Sequence, residues 1–372
     1  MKRVLLSGYY GFGNLGDEAV LSSIVCLLKK EIPDVKITAL SNDPKQTSAA
    51  YGIDSVNRWK LGQVWRAMRR ADIFVFGGGS LLQDVTSSKS ILYYLSQIAL
   101  ANFVKCPVFL YAQGIGPIND KNNRKKIAKR LNSCAYITVR DNASASLLER
   151  LGVNKAKVAV TADPVLAGLQ AELSVALPHK DLGKKVGFAI RFWHDLDIPA
   201  IAKAADWLDH QGWQVIFLPF HEPDDRTVAE EIMNQMESKA FLPKEILSAG
   251  EMLGAISQLD FLVGMRLHSL VMAASAQVPF LGIGYDPKVD AFCRQAGQPK
   301  LSVQELDENS LQEVLDWALP DMGNTKNILK QKQSTWQTLC HENMVLLREY
   351  AFGAKNLRLE DIREQSGEVA NQ

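Results

Sequence analysis

The chain is poor in cysteine, in long apolar runs and in net charge. Its five cysteines (Cys26, Cys106, Cys134, Cys293, Cys340) are odd in number, scattered and without a CxxC pair. That pattern excludes a disulfide frame and a cysteine-built zinc cluster, and buried reduced thiols are expected instead. No apolar run approaches the ~20 residues that a membrane-spanning helix needs. The opening "MKRVLLSG" reads as a strand entering a glycine loop rather than a secretory signal, so a cytoplasmic location is expected. Heptads, low-complexity tracts and short repeats are missing as well. The net charge of +1 conceals an imbalance, since residues 1–170 carry 23 Lys and Arg against 12 Asp and Glu. Either the first half faces an anionic partner, or the excess is spread over solvated faces.

What is present is a large potential core. With 372 residues and 47% hydrophobic composition, two domains are favoured over one. Short β-branched and aromatic runs alternate with helical patterns, the mark of parallel βαβ units. In the first half the strands are "KRVLLSG", "DVKITALS", "ADIFVFGG", "CPVFLYAQG", "AYITVRD" and "KVAVTAD". A second series, "KVGFAIRF", "WQVIFLPF", "LDFLVGMR" and "VPFLGIGYD", follows a linker containing Pro178 and Gly183. The expected fold is α/β, with two Rossmann-like doubly wound domains at residues 1–175 and 176–325. Residues 326–372 would form a last amphipathic helix, free to cross back to the first domain, and a polar tail "EQSGEVANQ" expected to fray.

Ligands of doubly wound sheets sit beyond the carboxyl ends of the strands. The first such loop, "GYYGFGNLGDEA", contains a formal GxGxxG at Gly11, Gly13 and Gly16. However, Asp17 and Glu18 occupy the first turn of the following helix, where the positive dipole end would otherwise receive a pyrophosphate. A neutral, hydroxyl-bearing ligand fits better. Asn14, Asp17 and Glu18 would accept its hydrogen bonds, Tyr9 and Tyr10 would offer a stacking surface, and Asp17 could alternatively cap the helix. "GGGSLLQD" adds Gly78, Gly79 and Ser80, "QGIGP" adds Gln113 and Gly114, and "RDNAS" places Arg140 at a strand end. For Asp141 the capping role is expected.

The strand ends of the second half are "IRFWHD", "PFHEPDD", "GMRLHSL" and "GIGYD". They gather Arg191, His221, Arg266, His268 and Tyr285 on one expected rim. Arginine offers paired donors to carboxylate or phosphate, and histidine moves protons near neutral pH. Together these residues describe a pocket for a small, strongly anionic molecule with proton transfer. The adjacent pairs His221–Glu222 and His194–Asp195 lack the one-face spacing of a helical zinc motif, and no metal is expected.

Taken in order, "GYYGFGNLGDEA", "GGGSLLQD", "QGIGP", "RD" followed by "S", "DP" and "GMRLHS" resemble the polysaccharide pyruvyl transferase family, from Lys2 to about Asp286. The resemblance implies a GT-B-type architecture, two Rossmann-like domains facing across a cleft. It implies phosphoenolpyruvate as a co-substrate, with no cofactor, and a pyruvate ketal, 4,6-linked, on N-acetylmannosamine of a secondary cell-wall polymer that anchors S-layer proteins. Phosphate would be released. Under it, Arg191 and Arg266 would clamp the donor with His221 and Tyr285, His268 would be the acid, and Asp17 or Glu18 would deprotonate the sugar. Tyr9, Tyr10, Gly13, Asn14, Gly78, Gly79, Ser80, Gln113, Gly114 and Arg140 would then hold the lipid-linked or polymeric acceptor; no nucleic acid is expected as a partner.

The basic stretch "NRWKLGQVWRAMRR" places Leu61, Val64, Trp65 and Met68 at helical spacing among Arg58, Lys60, Arg66, Arg69 and Arg70, and "KNNRKKIAKR" adds charge. Either the helix rests on anionic lipid at the inner face of the plasma membrane, or it packs its apolar stripe on the sheet. Other functions remain open: a nucleotide-sugar glycosyltransferase, a non-catalytic glycan- or nucleotide-binding protein, and a nicotinamide dehydrogenase using the GxGxxG with Asp43.

Overall fold

The computed structural model describes residues 2–84, 88–178 and 183–353. The expected tail "EQSGEVANQ" and the middle of the linker lie outside the described residues. The chain divides into two compact units. The first comprises Met1–Phe12, Val20–Gly168 and the chain from Trp336 onward, and the second comprises Gly13–Ala19 and Leu169–Thr335.

The first unit is built from β1 (Lys2–Ser7), α1 (Leu15–Glu31), β2 (Val35–Ser41), α2 (Pro44–Tyr51), β3 (Asp54–Asn57), α3 (Leu61–Arg70), β4 (Ile73–Gly77) and α4 (Ser88–Phe103). It continues through β5 (Val108–Gln113), α5 (Lys121–Leu131), β6 (Tyr136–Val139), α6 (Asn142–Arg150), β7 (Val158–Val160) and α7 (Val165–Gly168). Its seven parallel strands run in the order β3-β2-β1-β4-β5-β6-β7. The order reverses direction between β1 and β4, the switch point at which a doubly wound sheet opens its strand-end loops. Apolar side chains of α3, α4, α5 and α6 share one cluster with β4 and β5, including Met68, Leu95, Ile127 and Leu148. These four helices therefore cover the same face of the sheet.

The second unit holds β8 (Lys185–Ala189), α8 (Ile198–His210), β9 (Gln214–Phe217), α9 (Asp224–Gln235), α10 (Ala249–Ile256), β10 (Phe261–Gly264) and α11 (Leu267–Ser275). After them come β11 (Phe280–Gly284), α12 (Pro287–Ala296), β12 (Lys300–Ser302), α13 (Ser310–Ala318) and α14 (Met322–Phe352). Five parallel strands follow the order β12-β11-β10-β8-β9. The core strands are buried on both faces, which is why they read as unbroken apolar runs such as "FLVG" rather than as alternating patterns.

Both units are Rossmann-like, as the sequence predicts. From Trp336 onward α14 packs with the first unit, where Asn343 Oδ1 lies 2.9 Å from the Thr138 hydroxyl and the Tyr350 ring centroid 4.8 Å from that of Tyr136. The four buried cysteines are inert thiols. Burial pushes Cys106, Cys134 and Cys293 up to about 12, and Cys340 higher still.

Candidate active site

In the first unit the strand ends bring together the glycine-loop residues singled out in the sequence. Gly78 and Gly79 take positive φ (61° and 73°), the left-handed region that other residues resist. Gly78 donates its N–H to Tyr111 O at 2.9 Å, and Gly114 donates to Gly79 O at 2.8 Å. The Gln113 side-chain amide donates to Gly78 O, tying β5 to the β4 loop. A Cβ on Gly114 would stand 2.7 Å from Ser80 Oγ and 2.9 Å from Arg140 Nη2, so only glycine lets these two side chains approach. Arg140 is buried and already paired. Its Nη1 lies 2.8 Å from the Asp163 carboxylate and its Nη2 donates to Ser80 Oγ at 3.1 Å. The result is a hydrogen-bonding rim in which the Arg140 charge is balanced by Asp163, in the loop after β7.

Two expectations about the first loop are corrected. Tyr10 is no stacking surface: its ring is fully buried and its hydroxyl donates to Gly77 O at 2.8 Å. Tyr9 is the exposed member of the pair, stacked flat on Phe12 with centroids 4.1 Å apart. Nor does the Asn14 carboxamide oxygen await a ligand, since it accepts from Gly16 N at 3.1 Å and Asp17 N at 3.4 Å, opening α1. Asn14, rather than Asp17, is therefore the capping residue. Gly13 has φ +73° and open space around its Cβ position.

Arg58, which the sequence placed among lipid-facing charges, is instead buried beneath this loop. It donates to Gly8 O at 2.8 Å and to the hydroxyls of Tyr93 and Tyr94, with its guanidinium over the rings of Phe12, Trp59, Tyr93 and Tyr94. A charge desolvated to this extent is held by cation–π attraction and by hydrogen bonds.

The second unit carries its own cluster at the ends of β11, β10, β8 and β9. Tyr285, Arg266, Arg191 and His221 follow these four adjacent strands. Arg191 donates to the Tyr285 hydroxyl at 3.0 Å, and its guanidinium lies 4.9 Å from the Tyr285 ring centroid and 5.7 Å from that of Trp193. No carboxylate is among those contacts. Arg266 differs, because Nε and Nη2 both bind Asp225, with Nε at 2.9 Å. The Asp225 carboxylate also accepts the amides of Phe220 and His221 at 3.1 and 3.0 Å. It is nearly inaccessible and ties the strand ends of β9 and β10 to the start of α9. His221 Nδ1 lies 3.3 Å from the Asp224 carboxylate.

The first turn of α1 belongs to this second unit. Leu15 donates to Phe220 O at 3.0 Å, and residues Asn14 and His221 form an antiparallel bridge. Gly16 lies against His268: a Cβ there would fall 2.3 Å from Nδ1. The sequence therefore placed the loop correctly at a strand end but could not show that its last third would sit beside Arg266 and His268. Asp225, Trp193 and the role of Arg58 were missed, and Asp163, marked only by the "DP" of the motif series, was given no role; the doubled acid of "PDD" opening α9 was the signal available for Asp225.

This architecture has known counterparts. The family model for polysaccharide pyruvyl transferase matches residues 14–287, most of the chain and both sets of loops. The chain belongs to that family. Its members transfer a pyruvyl group to polysaccharide. One curated relative is the amylovoran biosynthesis protein AmsJ of Erwinia amylovora, 21% identical over 388 residues, covering 83% of this chain and 90% of that protein. The fold is shared with the UDP-GlcNAc 2-epimerase of Neisseria meningitidis bound to UDP-GlcNAc, with 13% identity, a TM-score of 0.63 and coverage of 93% and 100%. Anabaena HepE in complex with UDP-glucose shares it too, at 12% identity and a TM-score of 0.57, with coverage of 94% and 98%. At such identities the likeness concerns the fold.

Proposed function

We propose that this pyruvyl transferase takes phosphoenolpyruvate as donor and builds a 4,6-linked pyruvate ketal on an N-acetylmannosamine residue of a secondary cell-wall polymer precursor. The observation that carries the donor assignment is the second unit's row of strand ends. Arg191 keeps its positive charge unopposed by any carboxylate in its observed contacts, and Arg266 is held in a fixed orientation by Asp225 at the start of α11. Asp225 balances the Arg266 charge and makes that side chain a fixed donor, so the unopposed charge comes from Arg191; together with the start of α11 they suit a small molecule bearing both phosphate and carboxylate. The first unit's rim, with Arg140 neutralised by Asp163, suits an uncharged sugar.

The reaction balances as follows. The methylene carbon gains a proton and becomes a methyl group, one sugar hydroxyl adds to the central carbon, and the carbon–oxygen bond to phosphate breaks. The second hydroxyl then closes the ketal. Two hydroxyl protons are lost, one in balance going to the methyl carbon and one to the departing phosphate. His268 is the proton donor in this scheme, and Asp17 or Glu18, in the same α1 turn as Gly16, takes a proton from the sugar.

The test is incubation of the protein with phosphoenolpyruvate and a β-linked N-acetylmannosamine acceptor, read by mass spectrometry. The reading requires an acceptor heavier by one pyruvate less one water, absent from a His268→Ala variant. Stabilisation by UDP-sugars with no mass gain would favour a nucleotide-sugar transferase instead.

A further inference from the structure

We infer that the outer face of α3, α4 and α5 is a docking surface for an anionic lipid bilayer. Between Arg58 and Arg130 the sequence has thirteen Lys and Arg, three Asp and no Glu. The three carboxylates are all engaged in backbone bonds. Asp72 accepts from Arg3 N, Asp84 from Asn119 N and Asp120 N, and Asp120 from Asn123 N.

The distribution over the face is ordered. On α3 only Val64 and Met68 enter the core, so the expectation that the whole apolar stripe packs on the sheet fails for Leu61, 76% exposed, and for Trp65. Trp59 stands exposed just before the helix. Lys60, Arg66, Arg69 and Arg70 are exposed around them, with the Arg69 guanidinium 4.9 Å from the Trp65 ring centroid. Beside α3 a groove of about 810 Å³ gathers Arg3, Arg66 and Arg70 with an ion pair of Lys36 and Asp54 (3.1 Å), a recess with an excess of positive charge for phosphate headgroups. The neighbouring α4 exposes Leu92 and Phe103, the latter 81% exposed. On α5, Asn123, Ile127 and Leu131 face inward, leaving Lys121, Lys125, Lys126 and Lys129 exposed.

Exposed tryptophan at α3, with leucine and phenylalanine on α4 between the basic helices α3 and α5, matches a bilayer interface, where rings sit at headgroup depth and cations meet phosphates. A second copy of the chain is the poorer occupant, because an isologous contact would set two strongly basic faces against each other. The inference is independent of the site chemistry, since it concerns only the surface on which the enzyme works.

The experiment is co-sedimentation of the full chain with vesicles of phosphatidylglycerol and phosphatidylcholine or of phosphatidylcholine alone, at low and high salt. Binding is expected to the anionic vesicles only, and to weaken with salt. The triple variant Arg66→Gln, Arg69→Gln, Arg70→Gln should lose about a hundredfold in partition, and Trp65→Ser with Phe103→Ser should also bind less. All these residues are exposed, so thermal midpoints should stay close to the parent, and turnover with a water-soluble acceptor should be unchanged. No binding to anionic vesicles at low salt, equal binding to both compositions, or dimerisation through this face without vesicle binding would overturn the inference.

Discussion

Replacing Gly16 with alanine tests the neighbourhood of His268 most sharply. The new Cβ would lie 2.3 Å from Nδ1, 2.8 Å from Cγ and 3.0 Å from Cβ of His268. Because the overlap includes the base of the side chain as well as the ring, turning the imidazole about its own axis does not relieve it. Restoring ordinary contact requires a retreat of roughly 1 Å, and for His268 as the proposed proton donor a displacement of that size costs about 10²-fold in rate. Stability should change far less. Gly16 takes no left-handed φ, so alanine gains about 0.5–1 kcal/mol of helix preference against an overpacking cost of about 1–3 kcal/mol. Gly62→Ala is the matched control, since it also lies in a helix and its Cβ would meet nothing within 4 Å. The expected outcome, read by pyruvyl transfer kinetics and thermal unfolding, is a kcat about a hundredfold down for Gly16→Ala and unchanged for Gly62→Ala. Wild-type turnover by Gly16→Ala would refute the placement of His268 in the reaction.

Other outcomes follow from the same contacts. Asp225→Ala leaves two amides and the Arg266 guanidinium without their shared acceptor, and unfolding measurements should show a loss of about 3–5 kcal/mol; Asp225→Asn, which keeps an acceptor oxygen, should lose less. Arg58→Met removes the charged donor to Gly8 O and should cost about 1.5–3 kcal/mol, with Arg58→Lys recovering only part because an ammonium cannot reproduce the planar donor fork. Burial raises the Asp84 carboxyl, but donation from Asp120 N, Asn119 N and the Asn123 side chain outweighs it and holds the group below its ordinary value of 3.8. Stability from this lowered group is present above that value and lost as pH falls through the depressed one. The stability gap between the parent and Asp84→Asn should therefore be full at neutral pH and close in strong acid; a gap independent of pH would contradict the assignment.

The legibility of the fold tracked burial. Strands such as "IFVFG" and "VFLYAQ" are buried along their whole length and were readable as apolar runs. The two strands that the sequence did not suggest, β3 "DSVN" and β12 "KLS", are the short outer members of their sheets. An edge strand is covered on fewer sides and needs no apolar run. The same logic explains the tyrosines. Tyr9 and Tyr10 are adjacent and chemically identical, and only the local backbone decides that one hydroxyl reaches Gly77 O while the other ring stacks on Phe12 at the surface. Loop position could nominate Arg266 and His268, because strand ends are where ligands bind. It could not reveal Asp225, forty-one residues earlier, as the carboxylate that holds Arg266. Nor could composition separate Arg58 from its basic neighbours, since its burial depends on Phe12, Tyr93 and Tyr94 arriving from other elements.

The central claim is that the second unit's strand ends hold phosphoenolpyruvate through Arg191 and Arg266. Titration calorimetry of phosphoenolpyruvate into the full chain and into Arg191→Gln measures it most directly. The account predicts saturable binding by the parent, weakened at least tenfold in the variant with no loss of thermal stability. Equal affinity in the two proteins, or no binding by the parent, would contradict it.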